Sequence, residues 1–267
     1  MFGAGDQDAF DGAVVRIADS QGATRSTTLT VTVTGSNDAP DIFVSTLGGD
    51  SDTASLTETN SGLTTAGTLS VYDVDTRDIV TPSVSGVSVG GTYAGLSSLA
   101  SKVTMAQLLA MMNVSGGELS TTSQSAEHGV TWTFNSGTQA FDFIPAGQAL
   151  TLTYTIKATD NSGGANNSDT QLVTITINGT DDGITLVNDV RAMPENASGA
   201  ASSGNVLAND SIDPDFGEAT LVTGFTLDSN GDGTQESYAP GASVTVTSAT
   251  EGTLGVFTLA ADGTYSF

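Results

Sequence analysis

The sequence predicts an all-β protein of tandem β-sandwich domains carrying one short helical insertion. Three observations lead there. Apolar residues alternate with threonine in ALTLTYTIKA, where Leu150, Leu152, Tyr154 and Ile156 face one way and Thr151, Thr153 and Thr155 the other. That period of two marks a strand with one wet face. Glycine, serine, asparagine and aspartate separate such runs, and the 32 glycines are spread along the chain, as short strands and tight turns require. Finally, VTVTGSND around Gly35 returns as VTITINGTDD around Gly179, a repeat of domain size at an offset of 144 residues.

Taken in order, Leu29, Val31 and Val33 alternate with threonines after the turn DSQGATRS, which Asp19 opens. Residues 1–39 therefore read as the last two strands of a preceding repeat. Residues 40–181 read as one whole sandwich. Its final strands are ALTLTYTIKA and QLVTITI, in which Val173, Ile175 and Ile177 share a face, and the turn-rich TDNSGGANNSD between them makes a hairpin. Residues 182–267 read as a further sandwich without its last strands. LTETNSGLTTAGTLSVYDVDTRD from Leu56 resembles MPENASGAASSGNVLANDSIDPD from Met193, and GVTWTFNSGTQAFDF resembles GTLGVFTLAADGTYSF, after which the middle unit has two more strands. The helical insertion is TMAQLLAMMN. Met105, Leu108, Leu109 and Met112 have helical spacing, and Thr104 with Gln107 makes a capping box. Such a helix would cover an open end or face of the sandwich; a methionine-rich contact surface is the alternative.

Composition narrows the function. With 30 acidic residues against six basic ones, the net charge is −24, which disfavours nucleic acid and anionic membranes as partners. The chain has no cysteine, hence no disulfide and no thiolate metal site. No run approaches the ~20 apolar residues of a membrane span. The opening MFGAGDQDAF is acidic, unlike a secretory signal, so the chain is expected to be a piece of a longer protein or to be exported by a signal lying elsewhere.

An enzyme is not expected. The single histidine, His128, sits in the turn-like SAEHGV, and no nucleophile elbow, zinc-protease or phosphate-loop motif occurs. Trp132, the only tryptophan, alternates with Phe134 and belongs to a core rather than to a sugar platform. Lys157 falls on the polar side of its strand, which suits a solvated lysine better than a covalent crosslink.

The acids gather where strands end. Asn37 and Asp38 close the first repeat, as Asp181 and Asp182 close the second. Glu58 and Glu195 stand near domain starts, followed by Asp73 with Asp75 and by Asp213 with Asp215; Asp160, in the loop after ALTLTYTIKA, is expected to reach the second linker at Asp181 and Asp182. In DSNGDGTQE, Asp228, Asn230 and Asp232 occupy positions 1, 3 and 5 of a loop like that of an EF-hand. Ala239 stands where the bidentate glutamate would be, and an ordinary Asp-Gly hairpin turn is the alternative. Calcium takes six to eight hard oxygen ligands, which clustered carboxylates supply. These fourteen residues are the candidate calcium ligands.

The ordered set LTETNSG, VYDVD, WTFNSGTQAFDF, LTLTYTIKATDNSGG and VTITINGTDD resembles the VCBS repeat of large calcium-dependent RTX-type adhesins, and PENASG with GNVLANDSIDPD resembles the cadherin-like module that accompanies it. The second linker departs from the pattern by lacking Ala-Pro. The resemblance implies cadherin-like or Ig-like sandwiches, type I secretion to the cell surface, and a calcium-stiffened extender role in adhesion and biofilm. Its partners would be neighbouring repeats of the same chain, with strand-complementing self-association as a further possibility. A carbohydrate- or protein-binding module of a secreted protein is the competing reading.

Overall fold

The structure is a computed structural model describing residues 7–75, 77–115, 119–120, 128–164, 166–192 and 201–267. Two compact units divide the chain, Met1–Thr180 and Asp181–Phe267.

In the first unit, β1 (Gln7–Ala18) and β2 (Thr24–Thr34) form the predicted hairpin and pair only with each other among the described strands. Its turn forms because the Asp19 carboxylate accepts the amides of Gln21 and Ala23, while Gly22 takes φ +86°, open to glycine without strain. The sandwich follows with β3 (Asp41–Phe43), β4 (Thr53–Thr57), β5 (Thr64–Tyr72) and β6 (Ile79–Gly91). A 3-10 turn at Leu96–Ser101 and helix α1 (Met105–Ala110) lead to β7 (Met112–Ser115), β8 (Leu119–Ser120), β9 (His128–Asn135), β10 (Ala149–Thr159) and β11 (Ser168–Asn178). One sheet runs β4-β11-β10-β6-β8 and the other β3-β5-β9-β7. The fold is all-β, and the first unit is a two-sheet sandwich with a short helical insertion.

The predicted alternation is the packing pattern. Leu150, Leu152, Tyr154 and Ile156 of β10 and Val173, Ile175 and Ile177 of β11 are buried between the sheets, with Trp132 and Phe134 of β9 facing them. The rings of Phe134 and Tyr154 meet across the core with centroids 6.3 Å apart. Gly67 lies opposite Trp132 in the β5–β9 ladder, and a Cβ there would come within 2.5 Å of the indole. Only glycine leaves room for that ring. Lys157 is half-buried on the other side of β10. His128 opens β9, pairing with Val71, instead of standing in the turn before it.

Helix α1 carries the complete capping box: the Thr104 hydroxyl accepts from the Gln107 amide, and the Gln107 side chain accepts from the Thr104 amide. The helix is shorter than the spacing suggested. Met112 already belongs to β7, and the buried residues are Leu108, Met111 and Met112, whereas Met105 is exposed. The Tyr154 hydroxyl donates to the Leu108 carbonyl at 2.8 Å, anchoring the last turn to the core. Core covering is therefore what the helix does, and burial pushes the Tyr154 phenol pKa upward.

The second unit comprises β12 (Ser203–Asn205), β13 (Phe225–Leu227), β14 (Glu236–Tyr238), β15 (Ser243–Ser248), β16 (Gly252–Leu259) and β17 (Thr264–Ser266). Its four-stranded sheet runs β12-β17-β16-β15, and β13-β14 stands as a separate pair. Val244 and Leu259 are its only buried apolar residues among those described. No described helix is long and apolar enough to cross a membrane.

Candidate metal centres

Three loops converge at one end of the first unit's sandwich. Residues 35–40 bring Asn37 and Asp38, the β5–β6 loop brings Asp73, Asp75 and Asp78, and the β10–β11 loop brings Asp160. Each loop is folded by its own acid. The Asp73 carboxylate accepts the Asp75 amide at 2.9 Å, and the Asp160 carboxylate accepts the Ser162 amide at 2.8 Å. The loops are then tied together. The Asp38 amide donates to Asp75 at 2.8 Å, and the Asn37 side-chain amide donates to Asp160 at 3.1 Å and to the Asn166 carbonyl at 2.6 Å.

One carboxylate oxygen from each of Asp73, Asp78 and Asp160 lies within 4.8 Å of the others. Asp73 is 1% exposed, and its Oδ2 has no hydrogen-bond partner; neither has the buried Oδ1 of Asn37. At an effective dielectric constant near 20, two charges at this separation repel by about 3.5 kcal/mol. Burial above all, helped by the charges of Asp78, Asp75 and Asp160 and opposed by the Asp75 amide, raises the Asp73 pKa from 3.8 to about 6. Buried carboxylate and amide oxygens with unused lone pairs are the donor set of a hard divalent cation, calcium in particular.

The second unit repeats part of the arrangement, with the acid at the third rather than the first position of its DPDFGE motif in the cluster. Asp181, Asp215 and Glu218 each bring an oxygen within 4.8 Å of the others. The Asp182 amide donates to Asp215 at 3.4 Å, as that of Asp38 does to Asp75, and the Asp213 carboxylate accepts the Asp215 amide at 2.9 Å, as Asp73 does from Asp75. Asp215 is buried, its Oδ1 has no hydrogen-bond partner, and burial first, then Asp213, Asp182 and Glu218, raise its pKa to about 6 against the opposing effect of the Asp182 amide. Glu195 lies outside the described residues.

Asp78 and Glu218 join these clusters although strand-end reasoning passed over them. The signal was present: DVDTRD and DPDFGE both place acids at the first, third and sixth positions.

Two expectations are corrected. Glu58 does not join Asp73 and Asp75. Its amide donates to the Asn178 carbonyl, and its carboxylate accepts the Thr180 amide at 2.9 Å and the Thr180 hydroxyl, which puts it at the β11 exit. Asp160 pairs with Asn167 at the β11 entry, and the eleven residues of β11 span roughly 36 Å at ~3.3 Å per residue. For the same reason Asp160 cannot reach the segment after Gly179 and serves the Asn37 end instead. The buried Oε2 of Glu58 also lacks a hydrogen-bond partner.

The loop between β13 and β14 is held by its own side chains. Asp228 accepts the amides of Gly231 and Gly233, Asn230 that of Asp232, and Asp232 that of Thr234, while Glu236 accepts the amide and hydroxyl of Ser229. The Thr234 amide, with the side chains of Thr234 and Asn230, lowers the pKa of the exposed Asp232. Eight residues, 228–235, thus join antiparallel β13 and β14, with Gly231 and Gly233 at positive φ.

No protein-family model matches the chain, and no curated protein matches it. Among solved structures, it is similar to the CooA pilin subunit of enterotoxigenic Escherichia coli, at 13% identity over 53% of this chain and 98% of that one, with a TM-score of 0.32. The PapD-like domain 7 of human CEP192 aligns at 12% identity over 54% and 86%, with a TM-score of 0.30. Cadherin-like domains 1 to 4 of zebrafish RET align at 11% identity over 62% of this chain and 33% of that one, with a TM-score of 0.25.

Proposed function

We propose that the chain is a non-catalytic, calcium-binding extender segment of a bacterial cell-surface adhesin, in which ions at the ends of the sandwiches stiffen the junctions between repeats. One observation carries this reading. Asp73 and Asp78 of the β5–β6 loop meet Asp160 of the β10–β11 loop in one largely buried cluster, and the Asp73 oxygen without a partner is what a cation would satisfy. Asp73, Asp78, Asp160 and Asn37 would hold the first ion, and Asp181, Asp215 and Glu218 a second. A divalent cation supplies charge neutralisation there and does no chemistry. Without it the carboxylates repel, and the segments carrying them separate more easily.

The resemblance to VCBS and cadherin-like adhesin repeats supports surface export and a role in adhesion, since a spacer must keep its length outside the cell, where calcium is plentiful. Extracellular modules bind calcium at roughly 0.1–1 mM. Calcium titration by calorimetry, paired with small-angle scattering in calcium and in chelator, tests the proposal. Saturable binding with a narrower, longer particle in calcium is expected; no binding heat and no change of shape would leave the acids as a solubilising surface.

A further inference from the structure

We propose that Asn230 is a self-modification site. In the folded β13–β14 loop the Gly231 backbone nitrogen attacks its side-chain amide, ammonia leaves, and hydrolysis gives aspartate or isoaspartate. Three contacts around this Asn-Gly pair carry the proposal. The Gly231 amide donates to Asp228 Oδ1 at 2.7 Å, the Asp232 amide donates to Asn230 Oδ1 at 2.9 Å, and Asn230 Nδ2 donates to Asp232 Oδ2 at 3.1 Å.

Each contact meets a need of the reaction. A backbone amide is a poor nucleophile until its proton leaves, and the Asp228 carboxylate stands at that proton as a general base. The side-chain carbonyl oxygen gains negative charge as the nitrogen adds, and the Asp232 N–H is already aimed at it. A bond forms between Gly231 N and Asn230 Cγ, closing a succinimide ring, and the Cγ–Nδ2 bond breaks. The proton taken from Gly231 departs with Nδ2 as ammonia. Water then opens the ring at either carbonyl, giving aspartate at one and isoaspartate at the other. Nucleophile and electrophile are neighbours in one chain, so no encounter has to be arranged.

The fold holds the base of the loop and leaves its tip open. The Thr247 amide donates to the Ser229 carbonyl at 2.7 Å, and the amide and hydroxyl of Ser229 donate to Glu236 at 2.9 and 3.0 Å. Asn230, Gly231 and Asp232 are exposed, so water reaches the ring and ammonia escapes. Gly231 sits at φ +73°, and without a Cβ its nitrogen can approach Cγ closely.

The other Asn-Gly pair of the sequence, Asn178 with Gly179, is built the opposite way. Asn178 ends β11, and its Nδ2 donates to Ser55 Oγ and the Leu56 carbonyl, both at 2.9 Å. The Gly179 amide donates to the Gln148 carbonyl, not to a carboxylate. A Cβ on Gly179 would stand 2.0 Å from the Ile144 carbonyl oxygen, so the backbone there has no room to turn. Ring closure at Asn178 would break these bonds; at Asn230 it uses those already made. The product places a carboxylate beside Asp232 where an amide had donated, replacing a hydrogen bond with like-charge repulsion.

Peptide mass mapping of the full chain, incubated at mildly alkaline pH with and without guanidinium chloride, tests the proposal. In the folded chain Asn230 should convert to a mixture of aspartate and isoaspartate while Asn178 keeps its amide. Asn230 should react faster folded than unfolded, and Asn178 the reverse. Asp228→Asn should slow the folded reaction by about tenfold or more, a modest share of what general base catalysis supplies, and leave the rate in guanidinium chloride unchanged. The proposal is overturned if Asn230 reacts no faster folded than unfolded, if Asn178 keeps pace with it in the folded chain, or if Asp228→Asn changes both rates alike or neither.

Discussion

The Asn37 side-chain amide donates to the Asp160 carboxylate at 3.1 Å, joining residues 123 positions apart in the sequence. That bond ties the segment entering the sandwich to the β10–β11 turn, and the buried acids Asp73 and Asp75 lie in the same loop cluster.

Asp73→Asn should have opposite effects in the two ionic conditions. In chelator it removes one of three crowded charges and raises the melting temperature. In calcium it removes a ligand, and the gain from added calcium shrinks. A site at tenfold excess over its dissociation constant contributes about 1.4 kcal/mol, so scanning calorimetry with and without calcium reads both effects. A variant destabilised equally in both conditions would show that Asp73 serves packing alone.

Asp78→Asn and Glu218→Gln should each lower calcium stoichiometry or affinity, while Asp228→Asn should change neither. The first two residues belong to the convergent clusters, and the third is used by the amides of Gly231 and Gly233. Isothermal titration of the three variants side by side separates the two classes.

Ion-free stability should fall as pH rises through about 6. Asp73 and Asp215 keep their protons in the fold to about pH 6, against 3.8 for a free aspartate carboxyl. Between those values the folded state binds more protons than the unfolded one, so the stabilisation is complete below about pH 4 and lost above about pH 6. Melting in chelator at pH 5 and pH 7 should therefore favour pH 5 for these groups. In millimolar calcium the preference should reverse, since protons and the ion compete for the same oxygens.

Gly67→Ala should destabilise the first unit by about 1–3 kcal/mol, the usual cost of overpacking a core, because the new methyl meets the Trp132 ring at 2.5 Å. Trp132 is buried and is the only tryptophan. Its fluorescence therefore reports the unfolding of that unit alone, and an unchanged denaturant midpoint would contradict the packing described.

Thr104→Ala should cost about 0.5–2 kcal/mol through loss of the cap. Calcium binding should be unaffected, because α1 contributes no residue to either cluster. Denaturant melts and a calcium titration of the same variant check both halves of this expectation.

The sequence by itself determined strands β2, β9, β10 and β11, the two hairpins, the helix cap and the buried face of β9, β10 and β11. Those depend on near neighbours: the period of two in β10 and β11, the Asp19 turn, and Thr104 with Gln107. It also marked most of the acids, because they follow strands in a recurring order. Which acids meet was decided only by the tertiary structure. Glu58 and Asp73 are 15 residues apart in the sequence yet stand at opposite ends of the sandwich, because β4 runs parallel to β11 and carries Glu58 to its exit. Asp160 is far from Asn37 in sequence but beside it in space, because antiparallel β10 and β11 turn at that end. The burial that raises Asp73 and Asp215 likewise comes from loops closing over them, a property of packing that spacing along the chain does not contain.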